Sequence, residues 1–399
     1  MSPQSSEAER ARPRTGASPE ALPLRVPFNR AHLTGREVEY IAAAVANGHI
    51  SGSGGFTRRC EEAIETLVPG RRALLTTSCT HALEMSALLL DLEPGDEVVV
   101  PSFTFVSTAN AYALRGARPV FADVRADTLN IDERRLEGVI GPRTRAVVVV
   151  HYAGVGCEMD AILPIAERHG LHVVEDNAHG LFGTYRGRPL GSFGVMATQS
   201  FHETKNVTCG EGGALLVDGG LHDRALIVRE KGTDRHRFLR GQVEKYTWVD
   251  VGSSYVMTDI LAAFLLAQLE SRAAVQDARR RIWERYDAAL ATWARAQGVE
   301  RPSVPAHCEQ AYHMYHLLLP DAARRGAFID SLRRSGILAV FHYQPLHLSE
   351  MGRRLGGARG DCPVAEDVAE RLVRLPFFTS MSDADLDLVI DAVTSIDLA

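Results

Sequence analysis

The hydrophobic pattern is clearest in the middle of the chain, between about residues 72 and 217. Short apolar runs alternate there with segments of helical spacing; the runs are EVVVP (97–101), RPVFADV (118–124), RAVVVVHY (145–152), LHVVEDNAH (171–179) and GALLV (213–217). Several runs are apolar at consecutive positions, as expected for strands that are covered on both faces. Strands that alternate with helices predict an α/β domain with a mostly parallel, doubly wound sheet.

A helix is predicted before this region, from Thr34 onward. Thr34 and Glu37 have the spacing of a capping box, and Gly48 is placed to end the helix. The residues that fall on its apolar face are Val38, Ile41, Ala42 and Val45.

The pattern changes again after Thr258. A long helical segment (258–290) is followed by a helix at 325–336, a strand with the sequence ILAVFHYQ (337–344) and a last helix capped at Ser382. These elements predict a smaller α+β domain beside the main sheet. The predicted division is a disordered polar tail (1–25), a large domain (26–272) and a small C-terminal domain (273–399).

Composition narrows the classes of function. The 399 residues are 45% hydrophobic and 24% charged, and a net charge of −6 gives no sign of a nucleic-acid or membrane partner. No apolar run approaches the roughly 18 residues of a membrane span, and the N-terminus lacks the apolar stretch of a signal peptide. Six cysteines without paired spacing indicate reduced thiols, and fifteen histidines lack metal-ligand spacing. The expectation is a soluble cytoplasmic protein without a metal.

Three features lie where predicted strands end, which is where parallel sheets bind ligands. Asp176 ends the run LHVVED, the turn TTSCT precedes a predicted helix, and Lys205 lies in SFHETKN (200–206). Singly, each has an ordinary explanation: a strand cap or ion pair, a helix cap and a surface lysine. Together they offer a partner for a pyridinium nitrogen, a phosphate site and an amine, which suits pyridoxal 5′-phosphate (PLP).

Lys205 is conspicuous because only three of the 44 basic residues are lysines. Arginine serves almost everywhere else, yet it cannot lose its proton and form an imine. A lysine kept at this position therefore favours covalent chemistry with a carbonyl group.

Beyond these features, the chain resembles the sugar-nucleotide-dependent aminotransferases of the DegT/StrS family, which have the PLP fold type I. The matching segments are GGFTRRCE, LLTTSCTHALEM, PSFTFVSTAN, VHYAGV, VEDNAHG, SFHETKN, REKGT, KYTWVDVGSSYVMTD and VFHYQPLH. The branch that it most resembles is the TDP-4-keto-6-deoxyglucose 4-aminotransferases. The resemblance implies a seven-stranded type of sheet in the large domain, and a homodimer in which each active site is shared between subunits.

The resemblance also implies roles for individual residues. Lys205 would form the Schiff base and then carry the proton, Asp176 would pair with the pyridine nitrogen, and His179 would lie near the phenolic oxygen. The other cofactor contacts implied are Cys79, Thr80 and Ser200 at the phosphate, Phe105 on the ring, and Ser254 reaching the phosphate from the neighbouring subunit. The substrate contacts proposed from the sequence are Lys231 and Arg235 for the nucleotide diphosphate, with solvated surface as the alternative, and Tyr343 and His347 for the sugar, with packing as the alternative for the histidine.

The resemblance implies a two-stage reaction. L-Glutamate would convert PLP to pyridoxamine 5′-phosphate, which would then aminate C4 of a TDP-4-keto-6-deoxyhexose, with the galacto product favoured. Dehydratase relatives carry His at the position of Lys205, so the lysine favours transamination. One departure from the family is GSSYV (252–256), where Ser254 replaces a longer asparagine.

Three alternatives remain open from the sequence. The acceptor could be another keto-sugar nucleotide or a cyclitol, and the protein could be a PLP-binding regulator without turnover. A nicotinamide oxidoreductase is disfavoured because no G-x-G-x-x-G motif follows the first predicted strand.

Overall fold

The computed structural model describes residues 23–398. The strands in this range are β1 (Arg72–Thr76), β2 (Glu97–Pro101), β3 (Arg118–Ala122), β4 (Thr144–Val150), β5 (His172–Asp176), β6 (Thr184–Tyr185), β7 (Arg188–Pro189), β8 (Met196–Ser200), β9 (Gly213–Val217), β10 (Cys308–Glu309), β11 (His316–Leu318) and β12 (Leu372–Arg374). Seven of them form one sheet in the order β1-β9-β8-β5-β4-β2-β3.

The α-helices in the same range surround this sheet or follow it in the chain. They are α1 (Glu37–Ala46), α2 (Gly55–Leu67), α3 (Cys79–Leu89), α4 (Ser107–Ala113), α5 (Met159–Arg168), α6 (His222–Arg229), α7 (Arg235–Leu239), α8 (Asp259–Glu270), α9 (Arg272–Gln297), α10 (Ala322–Arg334), α11 (Glu350–Arg354), α12 (Pro363–Arg371) and α13 (Asp383–Thr394). The predicted cap of the last helix is present, because Ser382 accepts a hydrogen bond from the backbone of Asp385.

The sheet is mostly parallel, as the sequence predicts. β3, β2, β4, β5 and β8 run parallel to one another, and β9 runs antiparallel to both β8 and β1. Val150 of β4 pairs with Asp176 of β5. Gly213 of β9 pairs with Thr76 of β1 on one side and with Ser200 of β8 on the other. The carboxyl ends of β1, β4, β5 and β8 therefore meet at one edge, where the candidate residues follow.

Alternate side chains of the central strands enter two different cores. Val98 and Val148 pack with α3 and α4 on one face, whereas Val99 and Val147 pack with α5 on the other. All four are completely buried. This arrangement explains the consecutive apolar positions in these strands, since neither face meets water.

A third large core lies in the C-terminal part of the chain. Tyr286 of α9, Phe328 of α10 and Leu386 of α13 are among its fully buried members, and Val26 from the other end of the chain packs with them. The division at residues 272 and 273 remains a prediction. The predicted tail (1–25) lies mostly outside the described residues, but Arg25 is inside them and donates its backbone N–H to Gly336 O at 2.8 Å.

Three local predictions differ from the structure. The segment 258–290 is two helices that meet at Ser271 rather than one. The run ILAVFHYQ makes only isolated bridges, from Ile337 to Val26 and from Val340 to Arg374, because no continuous neighbouring strand is available to it.

The third difference concerns α1. Its buried residues are Glu37, Tyr40 and Ala44, whereas Val38 and Val45 of the apolar face are 75% and 55% exposed. Glu37 accepts from the backbone of Thr34 at 2.6 Å and from Gln268 of α8 at 2.6 Å. These polar contacts orient α1 on α8, so the apolar face of the helix points away from the core.

Candidate active site

A cavity of about 600 Å³ opens at the carboxyl edge of the sheet. It is lined by eight of the residues proposed from the sequence, namely Cys79, Thr80, Phe105, Asp176, His179, Ser200, Lys205 and Tyr343. Further lining residues not assigned a role from the sequence include Ser78, Thr104, Ser107, His202, Glu211, His313, His342 and Arg374. The carboxyl ends of the parallel strands all lie at this edge. Residues more than a hundred positions apart in the chain therefore meet here.

Lys205 lies in the turn after β8, and its backbone N–H donates to His202 O at 2.9 Å. The pKa of Lys205 is lowered to about 8, mainly by loss of solvent; Cys79 and Asp176 act in the opposite direction, and the charge of Arg374 contributes to the lowering. A substantial fraction of this amine is therefore neutral near pH 8. A neutral amine can attack a carbonyl carbon, which an ordinary solvated lysine does only at higher pH.

Asp176 ends β5 with its carboxylate facing the cavity. Thr108 Oγ1 donates to its Oδ2 at 2.7 Å, and the N–H of Ala178 donates to Oδ1 at 3.2 Å. Burial raises the pKa of Asp176, which Thr108 and Lys205 counteract. A buried carboxylate in this position gains stability from a cation placed against it, such as a protonated pyridine nitrogen.

The first turn of α3 faces the same cavity with free donors. Ser78 caps the helix by accepting from His81 N at 3.1 Å, but within residues 23–398 the N–H groups of Cys79 and Thr80 have no partner. The backbone of Gly213 passes so close that a Cβ there would lie 2.4 Å from Cys79 N. Unpaired N–H groups at the positive end of a helix form a phosphate site.

Polar side chains adjoin this turn and suit the same phosphate. Thr80 Oγ1 is 2.8 Å from Ser107 Oγ, and Ser200 lines the cavity beside them. Burial raises the pKa of the Cys79 thiol to about 12, so this side chain remains neutral and does not repel an anion. A cysteine at this position is therefore compatible with a phosphate.

His179 stacks on His313 with ring centroids 4.2 Å apart. His313 is itself held by Asn206, whose Oδ1 lies 3.0 Å from His313 Nδ1. Burial lowers the pKa of His179 well below its usual value, so the ring is neutral. Its Nδ1 is enclosed and has no hydrogen-bond partner among the described residues, which leaves one polar atom available to a bound group.

Four residues proposed from the sequence lie outside this cavity. Lys231 and Ser254 are exposed, and Arg235 pairs with Glu230 at 3.2 Å. His347 is completely buried, with Nδ1 2.6 Å from Ser102 Oγ and Nε2 3.0 Å from Glu366 Oε1. Both ring nitrogens of His347 already have hydrogen-bond partners inside the protein. The structure therefore favours the packing role for His347 over the contact with a sugar.

Sequence reasoning proposed only Tyr343 on the C-terminal wall of the cavity and missed two of its neighbours. His342 and Arg374 lie there beside Tyr343, and Arg374 Nη1 is 3.0 Å from His342 Nε2. Arg374 could have been noticed in the sequence, because it is the one charged residue in the otherwise apolar run LVRLPFF (372–378). A charged residue in such a run requires a partner or a function.

The residues present fit PLP. A helix N-terminus with unpaired N–H groups suits its phosphate, the carboxylate of Asp176 suits its ring nitrogen, and the amine of Lys205 suits its aldehyde. In the described part of the chain, no three His, Cys, Asp or Glu side chains are grouped to hold a metal ion. None of the helices between residues 23 and 398 has the length and apolarity needed to cross a membrane.

This fold and site define a PLP-dependent aminotransferase. The DegT/DnrJ/EryC1/StrS aminotransferase family model matches residues 32–394, and the chain belongs to this family. It is 34% identical over 380 residues to the spore coat polysaccharide biosynthesis protein SpsC of Bacillus subtilis, covering 93% of this chain and 97% of SpsC.

Solved structures agree in fold and in cofactor. The aminotransferase TlmJ of Streptoalloteichus hindustanus superposes with a TM-score of 0.85 at 32% identity, covering 93% of this chain and 98% of TlmJ. Spr1654 of Streptococcus pneumoniae in its PMP form gives a TM-score of 0.87 at 27% identity, with 93% and 98% covered. The predictions of the family, the α/β fold and the PLP cofactor are confirmed.

Proposed function

We propose that the protein transfers the amino group of L-glutamate to C4 of a TDP-4-keto-6-deoxyhexose, with the TDP-4-amino-4,6-dideoxygalactose product favoured. The observation that carries the transferase chemistry is Lys205, whose amine has a pKa lowered to about 8 and shares a cavity with Asp176. The choice of acceptor is supported by the segments SFHETKN and VGSSYVMTD, which resemble the 4-aminotransferase branch.

PLP, when bound, supplies an electron sink for the bond that breaks at the substrate carbon. Lys205 Nζ removes the proton from Cα of the donor and delivers a proton to C4 of the sugar. Asp176, fixed by Thr108, holds the proton on the ring nitrogen through the reaction. The free Nδ1 of His179 is available to the ring oxygen, and the neutral histidine adds no charge there.

The proposed product has a definite configuration at C4, and the face that receives the proton decides it. A galacto product requires that Lys205 deliver the proton to one face of the sugar ring only. The neighbouring wall, where Tyr343 stacks on His342 at 3.5 Å between centroids, is the surface available to orient that ring.

We also propose that the protein is a homodimer with shared active sites. Ser254, whose proposed partner is the cofactor phosphate, lies outside the cavity of its own chain. The chain also exposes apolar side chains: Trp248 is 77% exposed, Val251 54% and Val38 of α1 75%. Such side chains are stabilised when a second copy covers them.

Subunit mixing tests the shared site. Lys205→Ala and Ser254→Trp variants are each expected to be inactive, and mixed dimers would contain one site with both native residues. Co-refolding should then restore activity in about one site in four by random pairing. Absence of restored activity, with mixed dimers demonstrated by native mass spectrometry, would place Ser254 outside the partner's site.

The first test of the function is the visible spectrum of the purified protein before and after L-glutamate. The expected result is a yellow cofactor band that bleaches with glutamate and returns when a keto acceptor is added. Acceptors should include TDP-4-keto-6-deoxyglucose, a second keto-sugar nucleotide and a keto-cyclitol, with the configuration at C4 read by NMR.

The outcomes separate the alternatives. Return of the band only with the cyclitol or another nucleotide sugar would replace the acceptor and keep the aminotransferase. A yellow protein that glutamate does not bleach would support a PLP-binding protein without turnover.

A further inference from the structure

Arg374 carries a positive charge that nothing in the described part of the chain balances. It ends β12 on the wall of the cavity, and within residues 23–398 it forms no ion pair with any Asp or Glu. Desolvation lowers the pKa of its guanidinium, and the phenols of Tyr152 and Tyr343 are the groups that oppose this. Charged side chains in such surroundings are normally paired, so an anionic ligand is the missing component.

The hydrogen bonds of Arg374 show which edge of the guanidinium is free. Nη1 donates to His342 Nε2 at 3.0 Å, whereas Nε is enclosed and has no partner among the described residues. Nη2 likewise makes no hydrogen bond in residues 23–398. Nε–H and Nη2–H are parallel donors on one edge, the geometry that receives a carboxylate in bidentate fashion.

The surroundings hold this edge in place. Because an arginine can only donate, His342 Nε2 is the acceptor, and His342 Nδ1 then donates to Tyr152 Oη at 3.1 Å. Burial lowers the pKa of His342 well below its usual value, which keeps the ring in this neutral form. The guanidinium Cζ lies over the ring of Phe28, 4.6 Å from the ring centroid, so this aromatic contact covers a face of the guanidinium.

The phosphate of the cofactor is a poor candidate for the missing anion. Its site is the first turn of α3, where the charges acting on Cys79 are those of Asp176 and Lys205. The charge of Arg374 instead lowers the pKa of Lys205, His179 and His342. Arg374 therefore lies on the His179 side of the cavity, within electrostatic reach of the reacting amine.

The substrates of the proposed function contain one anion that must lie near Lys205. In an amino acid, the α-carboxylate is bonded to the carbon whose proton Lys205 removes. The keto sugar carries only hydroxyl, carbonyl and methyl groups around C4, and its diphosphate is attached at C1 on the far side of the ring.

We propose that Arg374 binds the α-carboxylate of the amino donor through the Nε and Nη2 edge. This inference rests on the proposed function, because it assumes an amino-acid donor. Arg374 selects amino acids over simple amines, since an amine without a carboxylate leaves the guanidinium unpaired in the cavity. His342 and Phe28 act as positioning residues for Arg374.

The binding test uses glutarate, a dicarboxylate that has no amine and cannot react. Calorimetric titration of the PLP-loaded protein should show that Arg374→Gln weakens glutarate binding about 10- to 100-fold, as expected for loss of a charge-assisted bidentate contact. Arg374→Lys should restore part of the affinity, because it keeps the charge but not the fork. Arg371→Gln is the matched control, since Arg371 pairs with Asp367 and Glu300 and is not among the residues lining the cavity.

A second comparison assigns the carboxylate to the α position. 4-Aminobutyrate is L-glutamate without the α-carboxylate, so wild type should be bleached by glutamate at least about 10-fold more efficiently, and Arg374→Gln should lose most of that preference. Unchanged glutarate affinity in folded Arg374→Gln would overturn the proposal. So would loss of inorganic phosphate or PLP binding with glutarate binding intact, which would assign Arg374 to the cofactor.

The failure of this inference and of the proposed function can be told apart. If no keto sugar is aminated but glutarate binding depends on Arg374, the acceptor assignment falls and the carboxylate site stands. If keto sugars are aminated and Arg374→Gln retains the preference for glutamate, only the carboxylate site falls. Circular dichroism and thermal melting of Arg374→Gln and Arg374→Lys establish that the comparison is between folded proteins.

Discussion

The two walls of the cavity differ in how their charges are balanced. On the wall made by the sheet, Asp176 and Lys205 carry opposite charges, and each shifts the pKa of the other toward the ionised form. On the C-terminal wall, His342 is neutral and Arg374 has no acidic partner in the described residues. The charges of the sheet wall are therefore balanced within the protein and its cofactor. The charge of Arg374 on the C-terminal wall is instead complementary to an anionic substrate, which binds and leaves in each turnover.

The largest effect is expected on the sheet wall, at Lys205. Lys205→Ala and Lys205→Arg should both lower turnover by roughly 10⁴-fold or more, because neither side chain can form an imine or move the proton. Stopped-flow absorbance with L-glutamate measures this. If Lys205→Arg kept substantial activity, the charge of the residue would matter and its nucleophilicity would not.

Asp176 and its neighbour Glu175 sharpen the comparison, because they point to opposite sides of β5. Asp176→Asn should lower the rate with glutamate by roughly 10³-fold, through loss of the charge that keeps the ring nitrogen protonated. Global stability should change little.

Glu175→Gln is the matched control, and its effect should be on stability. Burial alone would raise the pKa of Glu175, but hydrogen bonds from His151 and from the backbone of Gly194 and Gly191 outweigh it and lower the pKa. A carboxylate with a lowered folded-state pKa stabilises the protein above its unfolded pKa, and this is lost as the pH falls through the folded value. Glu175→Gln should cost about 3 kcal/mol near neutral pH and reduce the sensitivity to acid. Equal loss of activity in both variants, at equal stability, would contradict the distinction.

The pH dependence of cofactor loading tests the electrostatic interaction between Arg374 on one wall and Lys205 on the other. Loading of free PLP into the cofactor-free protein should increase with pH around a midpoint near 8, since only the neutral amine of Lys205 reacts. Arg374→Gln removes a positive charge, which favours the protonated amine and moves the midpoint upward by about one pH unit or less. A midpoint unchanged by Arg374→Gln would show that the two charges do not interact.

The smallest expected effect is at the aromatic residues between the walls. Phe105 is 57% exposed and lines the cavity, whereas Phe103 is 1% exposed and packs against Tyr152 with centroids 5.4 Å apart. Phe105→Leu should weaken PLP binding by about 1 kcal/mol through loss of ring stacking. Phe103→Leu should instead lower the melting temperature, and equilibrium dialysis of PLP should show no comparable change.

Five of the seven strands of the sheet were predicted as apolar runs, because each depends on a short-range pattern. EVVVP and GALLV coincide with β2 and β9 to the residue. Errors occurred where a distant contact outweighed the local pattern. Gln268 and Thr34 hold the buried carboxylate of Glu37, and this turns the apolar face of α1 outward although its periodicity is correct.

The sheet side of the site was also accessible from the sequence. A lysine, an aspartate and a capped turn each follow a recognisable strand or precede a helix, and the rule that ligands bind at the carboxyl edge brings them together without coordinates. The C-terminal wall has no such rule, because the segment 337–344 makes only isolated bridges and β12 lies in a separate two-stranded sheet.

Residue types and their spacing were thus enough to predict an α/β fold, PLP and the reactive lysine, since these follow from periodicity and from the chemistry of single side chains. The state of Arg374 depended on the folded chain. Its partners His342 and Phe28 are 32 and 346 positions away, and whether its charge is balanced depends on which groups folding brings within a few ångströms. Local sequence specifies which charges exist, and packing specifies which of them are left for a ligand.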